Sequence, residues 1–566
     1  MLQLAPDFIL MYSFFRKNHR YLFFGAWLVI NLLQACLTEL FDDEAYYWVY
    51  SNYLAWGYFD HPPMIALLIK AGYSIFHGEL GVRLFVVILN TATIFLISNL
   101  IDNRNDKLFY AISASIAVGH LGGMIAVPDV PLLFFIAVFF FMYKRFINGM
   151  NWVNCVLLSV SIALMLYTKY HGVLILFFTL LSNPKLFTRY QTYVVGALAL
   201  ILFAPHLYWQ YTHGFPSVQY HLFERNANNY HIEYTAEYLV TQLALAGPFI
   251  GWLLIWGSFK YVPRTSMEKA LQYTLIGFYL FFLVSTLKGR VEANWTLPAY
   301  IALIVLGHQY LNSRPRVTKW VYRALPLALG LVITVRVYMM LDVETMTRLG
   351  KDEFHQNKQF ADIISSKANG LPVVFTDSYQ RPSKYWFYSG EPALGLNTPD
   401  YRRNNYNFWP VEDSYIGKPA FVVGDDDNPA LRDRLNAPRL KRKASTVIPV
   451  FYSFMKAEFS DIHGKGDADT TTISFSVSVP DEYLQYFQKA PYDTATIQLA
   501  ILNFTERIHY FPSRVAVKQI TRSPIHLSAD FPVRLPKGSY HARLGISSAV
   551  PGEPTLNSPG FRVVIE

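Results

Sequence analysis

The sequence predicts a polytopic α-helical membrane protein of about eleven spans that carries a soluble domain after the last of them. The 566 residues are 52% hydrophobic and only 16% charged, whereas about a quarter of an ordinary globular chain is charged. Apolar runs long enough, or nearly long enough, to cross a bilayer recur from residue 21 to about residue 341. Residues 342–566 lack such runs and show the patterns of a water-soluble fold.

The predicted spans are given by hydropathy and not by any motif. They are centred near residues 30, 90, 116, 136, 160, 176, 199, 248, 278, 303 and 332. The stretch 64–76 is also apolar, and we expect it to form a helix at the outer membrane surface. The two cysteines, Cys36 and Cys155, both lie in apolar stretches, so no disulfide framework is predicted.

The basic residues between the spans predict the orientation. If the N-terminus is cytoplasmic, sixteen of these residues lie inside and the following five lie outside: Lys70, Lys169, Arg225, Lys288 and Arg290. Cytoplasmic loops carry an excess of Lys and Arg, so we expect this topology. An odd number of spans then puts everything after residue 341 outside the cytoplasm. The clusters are short and separated by apolar runs, which does not fit a nucleic-acid-binding groove despite the net charge of +9.

The soluble part is expected to contain two pieces. Residues 342–445 read as an α/β domain, with buried strands at 372–376 and 420–424. Residues 446–566 read as a β-sandwich, because apolar and polar residues alternate at 472–479, 495–502 and 540–546 with Pro and Gly turns between them.

Three adjacent carboxylates, Asp42, Asp43 and Glu44, follow the first predicted span. Like charges at this spacing repel one another, so one of them is suited to act as a base, or the group holds a cation. The alternative is structural. Asp42 or Asp43 would cap a helix over residues 45–54, and Glu44 would lie in its favourable first turn.

The acidic run begins the motif Asp-Glu-Ala-Tyr-Tyr at 43–47, and Tyr-Phe-Asp-His-Pro-Pro follows at 58–63. With these two motifs the sequence resembles the polyprenyl-phosphate-dependent glycosyltransferases of the GT-C fold, notably the aminoarabinose transferases and protein O-mannosyltransferases. Further matching motifs are Pro-Asp-Val-Pro-Leu at 128–132, Thr-Lys-Tyr-His-Gly at 168–172, Lys-Gly-Arg at 288–290 and Glu-Ala-Asn-Trp-Thr-Leu-Pro at 292–298. The resemblance covers about residues 20–341 and does not extend into the soluble part.

The resemblance implies a catalytic role for Asp43 as the general base of an inverting sugar transfer. It implies substrate-binding roles for Glu44, Asp60, His61, Asp129, Lys169, His171, Lys288, Arg290, Glu292, Asn294 and Trp295. The relatives have Glu-Lys where this chain has Asp60 and His61, so His61 either contacts the donor phosphate or joins Asp60 on a divalent metal cation. No nucleotide cofactor is implied.

The implied partners are a polyprenyl-phosphate sugar donor, a lipid, glycan or protein acceptor and the lipid bilayer, with no nucleic acid. The implied location is the bacterial inner membrane, with a cytoplasmic N-terminus and a periplasmic C-terminal domain.

Simpler roles exist for several of these residues. Lys169, Lys288 and Arg290 could extend their side chains to the membrane interface, and Asp129 could cap a helix.

Two other functions are alternatives to a glycosyltransferase. A transporter would explain charge near the spans but predicts internal repeats and broken helices at the membrane midplane. A membrane-anchored binding or assembly protein of the cell envelope would need one span, far fewer than predicted.

Overall fold

The computed structural model describes residues 6–224, 230–342, 352–435, 442–466, 470–502 and 508–565. Arg225, one of the five basic residues predicted outside, falls outside the described residues. The chain divides into two compact units, Met1–His355 and Gln356–Glu566. Each unit is built around its own core.

The first unit is helical. Its described α-helices are α1 Pro6–Leu37, α2 Asp42–Asn52, α3 Met64–Tyr73, α4 Glu79–Leu100, α5 Asp106–Ser115, α6 Ala117–Leu121, α7 Asp129–Asn148, α8 Trp152–Leu166, α9 Gly172–Ser182, α10 Tyr190–Thr212, α11 Pro216–Gln219, α12 Ile232–Leu245, α13 Gly251–Lys260, α14 Ser266–Ser285, α15 Tyr300–Asn312 and α16 Pro315–Met340. Shorter 3₁₀ turns include Gly122–Met124 and Ala293–Ala299.

Five of the described helices are long and apolar enough to cross a membrane by length and composition: Lys17–Leu37, Glu79–Leu100, Asp129–Asn148, Tyr190–Thr212 and Pro315–Met340. The spans predicted near residues 160, 176 and 303 correspond to the shorter helices α8, α9 and α15, and the one near 278 corresponds to the 20 residues of α14. The span predicted near residue 248 falls between α12 and α13. Helix α15 is buried on every side from residue 300 to 308, as expected for a helix at the centre of a bundle. The predicted polytopic helical architecture is confirmed.

The span predicted near residue 116 is a broken helix. Helix α5 ends at Ser115, and the chain continues through α6 and a 3₁₀ turn to the start of α7. Two glycines allow the broken segment, which we define as residues 116–127, to lie against its neighbours. A Cβ atom built on Gly123 would be 2.3 Å from Asn90 Nδ2, and one on Gly119 would be 2.4 Å from the Tyr300 hydroxyl.

The first loop contains two short helices. Helix α2 begins at Asp42, three residues earlier than the alternative reading of the acidic run assumed, and Phe41 is its N-cap. The Glu44 carboxylate accepts a hydrogen bond from Phe41 N at 2.9 Å, so Glu44 provides the side-chain cap. The interpretation with Asp42 or Asp43 as the cap was therefore wrong about where the helix begins and about which side chain caps it. Helix α3 corresponds to the expected surface helix at 64–76.

The second unit contains two sheets. Its strands are β1 Val373–Thr376, β2 Ala393–Leu396, β3 Ala420–Asp425, β4 Asp433–Leu435, β5 Lys443–Ile448, β6 Glu458–Gly466, β7 Thr471–Ser478, β8 Thr496–Ile501, β9 His509–Ala516, β10 Ile525–Phe531, β11 Gly538–Ile546, β12 Thr555–Leu556 and β13 Phe561–Ile565. The five strands predicted from the sequence all occur, as β1, β3, β7, β8 and β11.

The first sheet has the order β2-β1-β3-β5-β4. Strand β1 is parallel to β2 and to β3, whereas β5 is antiparallel to β3 and to β4. Helices α17 Asn357–Ala368 and α18 Gln380–Ser389 contribute Phe360 and Tyr385 to a core that includes Phe375 of β1. This is a small α/β fold.

The second sheet has the order β10-β7-β6-β13-β11-β8-β9, with β12 beside β11. Among the described residues, one parallel pair, Ile565 with Gly466, joins its two halves. Inward-facing residues from both halves, such as Phe475, Leu499 and Leu544, belong to one buried cluster. The two halves therefore share one core, as the layers of a β-sandwich do.

Candidate active site

A buried ion pair links two motifs that are distant in sequence. Lys169 Nζ donates to Asp129 Oδ1 at 2.7 Å, and Asn294 Nδ2 donates to Asp129 Oδ2 at 3.0 Å. Asp129 lies in the first turn of α7, where a negative charge is favoured by the helix dipole. Lys169 lies in the turn between α8 and α9. The three matched motifs at 128–132, 168–172 and 292–298 thus meet at one place.

The ammonium of Lys169 is held by Asp129 but can still donate further hydrogen bonds. It can donate three hydrogen bonds, and within the described part of the chain Asp129 is its hydrogen-bond acceptor. Two N–H groups therefore remain for a ligand anion. The motif at 58–63 reaches the same turn, because Met64 N donates to Tyr167 O at 3.1 Å.

Asp60 and His61 lie between α2 and α3. The Tyr50 hydroxyl donates to Asp60 Oδ1, and the edge of the His61 ring meets the Tyr47 ring at 5.5 Å between centroids. The His221 ring contacts the Asp60 carbonyl at 2.9 Å through Nε2. Asp60 therefore projects from a loop that aromatic and histidine side chains fix in place.

His61 lies near the buried ion pair. Burial lowers the pKa of His61 to about 4, and the nearby Lys169 ammonium adds to that effect while Asp60 and Asp129 oppose it. His61 Nδ1 is buried and has no hydrogen-bond partner among the described residues. The imidazole is thus neutral at pH 7 and has one nitrogen available to a ligand.

The two candidate metal ligands form an incomplete set. Within the described ranges, no group of three or more His, Cys, Asp or Glu side chains is arranged to hold a metal ion. A divalent cation held by the Asp60 carboxylate and the His61 imidazole would need substrate phosphate oxygens and water for its remaining ligands, because two side chains supply too few. The residues fit such a shared site, and a closed all-protein site is not formed.

Glu44 forms a buried ion pair that joins three parts of the first unit. Its carboxylate pairs with Arg83 of α4, at 2.5 Å from Nη2 and 2.8 Å from Nε, and both side chains are 0% exposed. It also accepts a hydrogen bond from Ala126 N at 2.6 Å. Glu44 therefore ties the start of α2 to α4 and to the broken segment, which leads into Asp129.

The other two acids differ in burial. Asp42 is 7% exposed, whereas Asp43 is half-buried at the next position of the same turn. Because Glu44 caps the helix and is neutralised by Arg83, Asp43 is the more accessible carboxylate of the three. Its position at the helix N-terminus favours the charged form.

Three aromatic rings extend the site beside Asn294. The His171 ring stacks on Phe282 at 5.5 Å and lies 6.0 Å from Trp295, and Phe282 and Trp295 are 5.6 Å apart. His171 is the N-cap residue of α9. These contacts place His171 and Trp295 within one cluster next to the ion pair.

The remaining candidates lie at the surface. Lys288, Arg290 and Glu292 are exposed. Arg290 forms a two-point ion pair with Glu237, at 2.5 and 3.1 Å, with 59% and 43% of the side chains exposed. Arg290 is therefore held at the surface by Glu237.

Several residues of the site were not predicted. Arg83 could have been suspected, since a lone arginine in an apolar run is costly in a membrane and usually has a partner. Tyr170 contacts His206 Nε2 at 3.2 Å and accepts from Gln210 Nε2 at 3.0 Å. His206 and Gln210 occur near the end of α10, and nothing in their spacing signals that contact.

Known proteins resemble this chain in sequence and in fold. A family model described as Dolichyl-phosphate-mannose-protein mannosyltransferase matches residues 60–209. The crystal structure of ArnT from Cupriavidus metallidurans bound to undecaprenyl phosphate superposes with a TM-score of 0.57 and 14% identity, covering 78% of this chain and 98% of that one. The chain has the GT-C fold. The predicted resemblance to GT-C glycosyltransferases that depend on polyprenyl phosphates is confirmed.

Two relatives of this GT-C chain match it over only part of their length. Lipid A galacturonosyltransferase RgtD of Rhizobium johnstonii is 24% identical over 304 residues, which cover 50% of this chain and 63% of that protein. An uncharacterized protein of Aquifex aeolicus is 22% identical over 266 residues, covering 45% of this chain and 53% of that protein. The chain thus spans less than two thirds of the length of either relative.

Proposed function

We propose that the chain is a membrane glycosyltransferase that moves a sugar from a polyprenyl-phosphate donor to an acceptor hydroxyl, with inversion. The proposed location is the bacterial inner membrane, with the N-terminus in the cytoplasm and the reaction at the periplasmic face. The charge bias of the loops supports this orientation. The name of RgtD, which acts on lipid A, supports a lipid acceptor.

One observation carries the proposal. Three loop motifs, at 43–47, 58–63 and 292–298, are linked to the buried Asp129–Lys169 pair, through Glu44 to the broken segment, through the bond from Met64 N to Tyr167 O and through Asn294. Helix α7, which starts at Asp129, is one of the five helices long enough to span. Lipid-linked sugars are presented at such a boundary between membrane and water, so the group is placed to receive one.

The proposed reaction uses Asp43 as the base. Its carboxylate takes the proton of the acceptor hydroxyl as that oxygen attacks the anomeric carbon. The bond from the anomeric carbon to the phosphate oxygen breaks on the opposite side, and polyprenyl phosphate leaves with the bonding electrons. The attack from the opposite side inverts the configuration at the anomeric carbon. A positioned base of this kind contributes typically about 10²–10⁴-fold.

The donor phosphate is proposed to bind between Lys169 and His61. The two unused N–H groups of Lys169 and the free Nδ1 of His61 both suit phosphate oxygens. Charge stabilisation at the leaving oxygen then lowers the barrier as phosphate departs. A divalent cation shared by Asp60, His61 and the phosphate is a second proposed mode, and it would add a Lewis acid at the same place.

The direct test is transfer of a radiolabelled sugar. Purified full-length protein is incubated with a panel of polyprenyl-phosphate sugars and membrane extract, with Asp43→Asn as the inactive control. We expect label to move to an extractable acceptor with the wild-type protein only. Equal labelling by Asp43→Asn, or no transfer from any donor of the panel, would contradict the proposal.

A further inference from the structure

The broken segment carries backbone polar groups that its own short helices cannot pair. Side chains from three other helices bind them. Asn90 Nδ2 lies 3.4 Å from the Gly119 carbonyl, Arg336 Nη2 donates to the His120 carbonyl at 3.0 Å, and the Ala126 amide donates to Glu44 at 2.6 Å. Irregular backbone within a membrane bundle persists only where protein groups satisfy it in this way.

Arg336 lies four residues before the end of α16, and its side chain is buried, with the residue 6% exposed. Besides the His120 carbonyl, it donates to Asn31 Oδ1 at 2.8 Å and to Gln34 Oε1 at 3.3 Å. All of these acceptors are neutral, and the described part of the chain supplies no carboxylate to Arg336. A buried arginine is costly in a membrane protein, and such residues are usually kept for a function.

The contacts of Arg336 continue to Glu44. Gln34 Nε2 donates to Thr38 Oγ1 at 2.8 Å, and Arg83 Nη1 donates to the Thr38 carbonyl at 2.6 Å. Arg83 in turn holds Glu44, which binds the Ala126 amide. The chain of hydrogen bonds therefore begins at the His120 carbonyl, passes through α16, α1, α4 and α2, and returns to the other end of the same segment.

We propose that Arg336 is a positioning residue for the sugar transfer. It fixes the His120 carbonyl, and with it the broken segment, which binds Glu44 through the Ala126 amide and leads into Asp129. Helix α2 carries Asp43 and helix α7 starts at Asp129, so the segment sets the spacing between the base and the phosphate-binding lysine. The catalytic part of this inference depends on the proposed function, whereas the structural part does not.

The arrangement needs arginine in particular. A planar guanidinium reaches the His120 carbonyl, Asn31 and Gln34 at once, with donors fixed in a fork. A lysine ammonium is a compact point charge and would keep the charge while reaching fewer of these acceptors. Arg336→Lys therefore separates the effect of geometry from that of charge.

The test compares Arg336→Gln and Arg336→Lys with Arg316→Gln in the full-length protein. Arg316 is on the same helix and is exposed, which makes it a matched control. The first readout is amide hydrogen exchange of peptides from residues 117–127. We expect about tenfold faster exchange in both Arg336 variants, as one lost hydrogen bond would give, and no change in Arg316→Gln.

The second readout is the division between kcat and KM. Because small misplacements of reacting groups cost about 10²-fold, kcat should fall by about that factor while the KM for donor stays within about twofold. A purely stabilising residue would lower the amount of folded protein and leave kcat per folded molecule unchanged. If Arg336→Gln does not fold, Arg336→Lys decides. Unchanged exchange in a folded Arg336 variant overturns the proposal, and a wild-type protein that transfers no sugar overturns only the proposed function.

Discussion

Lys169 Nζ lies 2.7 Å from Asp129 Oδ1, and each side chain is only 7% exposed. Asp129 begins helix α7 and Lys169 lies in the turn between α8 and α9, 40 positions further along the chain. Removing one partner of a buried ion pair leaves a charge without compensation, whereas removing both often costs little. The pair therefore stabilises the fold at the place where the donor phosphate is proposed to bind.

Replacing Lys169 with Met should destabilise the protein by about 3–5 kcal/mol, because Asp129 would remain charged and buried. Thermal unfolding in one detergent measures this. The double variant Lys169→Met with Asp129→Asn should recover most of the lost stability and none of the activity. Recovery of transfer in the double variant would show that neither charge takes part in the reaction.

Asp43→Asn should lower turnover by about 10²–10⁴-fold with donor binding retained, since the amide cannot accept the proton. Turnover and donor affinity are measured for the same preparation.

The matched control for Asp43 is its neighbour, Asp42→Asn, in the same turn of α2. It should cost far less activity. A larger loss in Asp42→Asn, or near-normal turnover in Asp43→Asn, would mean that another carboxylate is the base.

His61 predicts a pH dependence of stability. The unfolded imidazole binds protons below about pH 6.5, whereas the folded one does so only near pH 4. Protonation therefore favours the unfolded chain, and the stability due to neutral His61 is lost as the pH falls from 6.5 through 4. His61→Gln should flatten the profile of melting temperature in that window. An unchanged profile would show that His61 is not buried as described.

The same residue distinguishes the two proposed modes of phosphate binding. If His61 takes the place of the lysine found in relatives, His61→Lys should keep substantial activity without added metal. If it is a metal ligand, that variant should lose metal-dependent turnover, since protonated lysine cannot coordinate. Full activity in His61→Ala would remove His61 from the site.

Arg290→Gln should change stability by no more than about 1 kcal/mol, because its pair with Glu237 is exposed to solvent and screened by salt. Glu44→Gln should cost more, as it leaves Arg83 buried without its carboxylate. Chemical denaturation of both variants in the same buffer compares them. A loss of transfer in Arg290→Gln with normal stability would show that Arg290 takes part in substrate binding.

The second unit should become less stable as the pH rises. Burial raises the pKa of Asp377 to about 6 and that of Glu553 to about 8, and Asp377 adds to the effect on Glu553. The stability that these two protonated carboxyl groups contribute is fully present below about pH 4. It is lost as the pH rises through 6 to 8 and the folded-state carboxyls ionise. Residues 356–566, expressed alone, should melt at a lower temperature at pH 8 than at pH 5. Glu553→Gln should reduce that difference, and reductant should have no effect since the unit contains no cysteine.

The sequence was sufficient for elements that depend on local patterns. Strands β7 and β11 alternate buried and exposed residues, and the pattern located both within two residues. The helix start at Asp42 was placed too late, because the helix is capped by Glu44 reaching back to Phe41 rather than by an acid in front of it. The break at Ile116 was also missed, since the run around it is apolar and side chains from other helices compensate the break.

The candidate site was predicted in part for the same reason. Motifs could nominate Asp129, Lys169 and Asn294, and the fold brings them together. No local signal could show that Arg290 pairs with Glu237, or that Arg336 and Arg83 are joined through Gln34 and Thr38. Those contacts depend on how distant helices pack.

Strand β13 lies in the middle of the second sheet, between β6 and β11, although it is the last strand described. Strands β6 and β7 can pair early. The half of the sheet that contains them is hydrogen-bonded to the other half only after residues 561–565 have been synthesised. The sheet therefore cannot be completed in the order in which its strands are synthesised. Until then β6 and β11 each expose an edge, so the newly made domain passes through a stage at which it can pair with another chain. Protection of those edges until β13 has been made is an assembly requirement set by strand order alone.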